Sequence, residues 1–159
     1  MFNPTKEEVR HFFCEVWRKS QVDAVLTPLE AIARDWMLQH TEYAEDFTNN
    51  EAATADYSID AGKSNPFLHL SMHLSIAEQI SIDQPAGIRD VFQALATRCG
   101  SEHDAHHEIM ECLGQMLWTA QRSGLPPDGE TYLECIRHRK DQLCADEKKA
   151  RTNVLAFLF

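Results

Sequence analysis

Eight histidines stand in this chain of 159 residues, and four of them fall in two pairs at a spacing that can do chemistry. His69 and His73 are four residues apart, and so are His103 and His107. On a helix that spacing puts both imidazoles of a pair on one face. Met72, Ile76 and Ile80 share the first face, and Met110, Gly114 and Trp118 share the second. Both pairs are therefore expected to point inward, where a polar ring without a partner is costly. Two such pairs on two helices are the raw material of an inward-facing metal site in a bundle. Neutral imidazole suits zinc most simply, and with a carboxylate it also suits iron, copper or manganese. Glu111, four residues after His107 at the border of the polar and apolar arcs, is the expected carboxylate. It would act as a ligand or as the group that orients a ligand ring. His40, at the apolar end of its own segment, is a further candidate ligand. A metal-free network of buried histidines with Glu111 is the plainer use of the same residues.

Helices must carry these pairs, and their punctuation is legible. Asn3-Pro4, Thr27-Pro28 and Asn65-Pro66 each set a capping side chain before a proline suited to a first helical turn. Thr27 and Glu30 have the spacing of a capping box. Ser101 and Asp128 open two more segments, while Gly100 and Gly124 close two. These signals predict helices at about 4–19, 28–40, 66–82, 86–99, 102–123 and 129–141. No alternating β-branched run points to a strand. The expectation is an all-α, single-domain bundle of about six helices, with a long loop between the second and third. Tyr43, Phe47 and Tyr57 would pin that loop to the body. The domain is read as residues 1–142, followed by a charged then apolar tail over 143–159. That tail would dock on its own domain or engage a partner.

Composition narrows the function classes. A hydrophobic fraction of 43% with 25% charged residues is that of a globular chain, long enough to bury a core. The formal net charge of −10 argues against nucleic acid, which calls for a basic stripe. No apolar run approaches the roughly 20 residues that cross a membrane, and the amino terminus lacks a secretion pattern. A cytoplasmic protein is expected. Five cysteines, none in a CxxC pair, predict no disulfide framework and no thiolate zinc finger. There is no phosphate loop, nucleophile elbow or HExxH motif, so the residues name no reaction.

Several longer segments carry a resemblance: residues 10–17 (RHFFCEVW), 65–73 (NPFLHLSMH), 81–89 (SIDQPAGIR), 110–114 (MECLG) and 126–135 (PPDGETYLEC). In these the chain resembles a bacterial family of uncharacterised proteins, domain of unknown function 1841, over roughly residues 2 to 138. The resemblance implies no activity, but it sets the histidine segments inside family-like motifs. The reading that follows is a metal-binding helical protein holding a transition metal through His69, His73, His103 and His107. The alternative is a metal-free protein–protein interaction module, a homodimer included, that uses the tail.

Overall fold

The computed structural model describes residues 4–49, 55, 57 and 65–157, with side chains to residue 143. Its elements are all helical. They are α1 (Lys6–Gln21), α2 (Pro28–Gln39), a 3-10 turn (Thr41–Tyr43), α3 (Ala44–Thr48), α4 (Pro66–Ile82), α5 (Ile88–Cys99), α6 (Glu102–Ser123) and α7 (Gly129–Phe157). Among the described residues there is no strand, and no helix is long and apolar enough to cross a membrane.

Most helices start and stop where the punctuation predicts. Thr27 accepts from Glu30 N while Glu30 returns a bond to Thr27 N at 2.7 Å, closing the capping box. Asn65 Oδ1 takes the Phe67 and Leu68 amides at 3.1 Å each. Ser101 caps α6 through the Asp104 amide, and Asp128 caps α7 through Glu130. Gly100 and Gly124 end α5 and α6 in the left-handed region, at φ +79° and +69°, where a Cβ would be strained. Two boundaries differ. The first helix is capped by Thr5 rather than Asn3, because Thr5 and Glu8 form a capping box of their own. The last helix does not stop near residue 141 but continues to Phe157. No Gly or Pro follows Gly129, so the charged run offers helix formers and no breaker.

The chain divides into two compact units, residues 1–74 and 75–159, and the division falls inside α4. The first unit gathers Phe13 and Val16 of α1, Ala33, Trp36 and Met37 of α2, Phe47 of α3, and Phe67 and Leu70 of α4 into one core. Of the expected pins, Phe47 is buried and packs on Trp17 and Phe67. Tyr57 donates to Asp46 at 2.8 Å. The remaining loop, residues 50–54, 56 and 58–64, lies outside the described residues.

In the second unit α5, α6 and α7 pack on one another through Ile88, Phe92, Leu95, Ile109, Leu113, Leu133 and Ile136. The turn from α4 into α5 explains the 81–89 motif. Arg89 donates to the carbonyls of Ile80 and Ser81 at the end of α4, the first of which also accepts the Asp83 amide at 3.4 Å. Asp83 accepts the amides of Arg89 and Gly87 at the start of α5, and these bonds hold its carboxyl below the usual range. One expectation fails here. Cys112 and Cys135 form a disulfide between α6 and α7, with Cα atoms 5.8 Å apart. No sequence spacing announces it, since the two residues meet only when the helices pack.

Candidate metal centre

The first pair lies as its spacing predicts, and a third ring joins it. His73 is fully buried on α4, and its ring stacks on Trp36 at 4.1 Å and 16°. His69, one turn earlier, is half-buried. His40 ends α2 as its C-cap residue and is 2% exposed, with the Tyr43 ring parallel to its own at 5.6 Å. His69 Nε2 stands 3.0 Å from His40 Nε2 and 3.2 Å from His73 Nε2. Three ring nitrogens from two elements thus converge.

His40 shows how the convergence is set. Its Nδ1 lies 2.8 Å from the Trp36 carbonyl. A carbonyl only accepts, so Nδ1 carries the proton, and in the neutral ring Nε2 is left with a lone pair. The same bond satisfies a carbonyl at the end of α2 that no further helical turn would reach. A backbone carbonyl on the far nitrogen is the usual way a metal-ligating histidine is oriented. His69 Nε2 then stands between the His40 and His73 ring nitrogens. A single N–H must be shared between two contacts, or one contact sets two lone pairs face to face. A cation among the three nitrogens removes that conflict. Two nitrogens bound tetrahedrally at about 2.0–2.1 Å from zinc stand about 3.3–3.4 Å apart, close to the separations seen here.

On α6, the His103 and His107 rings lie 4.5 Å apart at 63°, both half-buried. His106 is buried and turns edge-on to Phe92 at 5.4 Å. Burial pushes its pKa down to about 4, and the neighbouring His103 and His107 push the same way. It is a neutral core ring at pH 7.

The structure thus joins His73 to His69 and His40, while Glu111 is exposed on α6. The neighbouring acid, Glu108, is engaged by Arg139 of α7 at 2.6 Å. His11 and His138 are exposed. Sequence reasoning placed His40 at the margin of the site, although its ring belongs to the convergent set. The signal was its position at the end of an apolar helical face.

Helices that bring histidines together at their inner faces define an all-α protein with a candidate metal centre. The chain belongs to the family described as a domain of unknown function (DUF1841), whose pattern matches residues 5–138. That span contains every histidine of the chain. Neither a curated protein nor a solved structure matches it.

Proposed function

We propose that this protein binds one transition-metal ion, zinc most simply, through inward-facing histidines. Its ligands are His40, His69 and His73, from the end of α2 and from α4. Glu111, on its exposed face, orients rather than binds. The observation that carries this reading is the meeting of the His40, His69 and His73 Nε2 atoms at 3.0 and 3.2 Å. In a metal-free network one His69 N–H would serve both contacts, because the Trp36 carbonyl holds the His40 proton on the far nitrogen. All-imidazole ligation suits zinc, with iron, copper and manganese as competitors. The three converging groups are all imidazoles, with no carboxylate among them to serve as a general base. The reading is therefore a held metal that organises the protein, rather than a hydrolytic centre.

Elemental analysis of untagged protein, purified without chelator from its native host, is the test. Near-stoichiometric metal is expected, and it should be lost in the His40→Ala/His73→Ala double variant. Metal-free wild-type protein, or equal metal in both forms, would refute the reading. The refuting result would turn attention to partner binding by the carboxy-terminal residues.

A further inference from the structure

We propose that Cys112–Cys135 is an exchangeable disulfide, opened and re-formed by a low-molecular-weight thiol that enters the cleft beside it. The inference is independent of the metal reading. Both cysteines line a cleft of about 310 Å³ in the second unit, walled by Met116, Leu125 and Tyr132 and edged by Gln115, Thr119 and Asp128. That volume is at the lower end of small-ligand sites and suits a thiol of amino-acid to tripeptide size. A disulfide sealed in a core offers no such approach, and access governs exchange.

The two sulfurs differ in reach. Cys112 is 1% exposed, whereas Cys135 is half-buried, with its Sγ 4.0 Å from Gln115 Oε1 at the cleft. Cys135 Sγ is thus the sulfur an incoming thiolate meets. Attack there forms a bond between the incoming sulfur and Cys135 and breaks the Cys112–Cys135 bond. The electron pair leaves on Cys112 Sγ, which takes up the proton the first thiol released. A second thiol attacks the mixed disulfide and leaves as the small-molecule disulfide. Cys135 becomes a thiol, and the two electrons come from the two small thiols. The helices stay together without the bond, because buried Leu133 and Ile136 and the Arg139–Glu108 ion pair hold α7 within the same unit.

Full-length native protein equilibrated in graded mixtures of a reduced and oxidised tripeptide thiol provides the test, read by alkylation and peptide mapping. Reversible, graded reduction of Cys112–Cys135 with unchanged helical circular dichroism is expected. A bond that survives excess thiol until the protein is denatured would overturn the proposal. The Cys112→Ser variant, given the oxidised thiol, should gain one thiol adduct mapped to Cys135. A folded variant that stays unmodified at Cys135 would count equally against it. Thr119→Trp, which fills the cleft mouth, should slow reduction by the tripeptide about tenfold. An unchanged rate would show that the cleft is not the route.

Discussion

Two histidine regions built on the same four-residue spacing have become different things. On α4, His69 and His73 meet His40, which arrives from the end of α2 with its ring oriented by the Trp36 carbonyl. On α6, His103 and His107 lie beside His106, whose ring stands perpendicular to Phe92 and is neutral in the core. Spacing selects a helix face. What that face becomes depends on the group that reaches it from another element, and on whether a carbonyl has already fixed the proton. His40 supplies both in the first region.

The comparison can be broken most forcefully at His73. His73→Ala should abolish metal binding and cost about 2–4 kcal/mol, since it also empties a buried ring site against Trp36. Chemical denaturation read by circular dichroism measures the loss. His73→Phe keeps a ring on Trp36 and should recover part of the stability but none of the metal. Full stability and full metal in either variant would mean that the α4 pair is ordinary core.

His40→Ala comes next. It removes the ligand and its bond to the Trp36 carbonyl, and zinc affinity should fall at least about 100-fold in a competition titration. His106→Phe is the contrasting case on α6. The ring is buried against Phe92 and apart from the His40, His69 and His73 nitrogens in sequence, so metal content should be unchanged by elemental analysis. Loss of metal there would erase the distinction between the two regions.

A smaller effect is expected outside both regions, at Arg89→Ala. This removes two side-chain bonds to the Ile80 and Ser81 carbonyls and should cost about 0.5–1.5 kcal/mol without touching metal content. Smallest of all is Lys19→Ala. Lys19 bonds Glu30 at 2.7 Å and, with the Thr27 amide, holds that carboxyl below its usual range. Such a group adds stability above its unfolded pKa and loses it as pH falls through the folded one. The variant should therefore melt slightly lower at pH 7. The gap should close as pH drops below the carboxylate range.

Capping residues made the helices legible. Thr27, Asn65, Ser101 and Asp128 each satisfy amides that only a helix start leaves open, so their side chains announce position as well as type. Asn3 was misleading because Thr5 and Glu8, two and five residues on, form the stronger reciprocal cap. The end of α7 was not legible, since a charged run without Gly or Pro is equally at home in a helix or a solvated tail. For the candidate site, periodicity singled out His69 and His73, because they lie four residues apart on one helix. His40 was only partly legible, since its role depends on where the end of α2 meets α4. The Cys112–Cys135 bond was not legible at all, because the packing of α6 on α7 has no local signature.

The most direct measurement is anomalous diffraction at the zinc edge from crystals of untagged protein grown without chelator. The account predicts one strong peak within about 2.0–2.1 Å of the Nε2 atoms of His40 and His73. No peak there, or peaks only at surface residues such as His11 and His138, would contradict it.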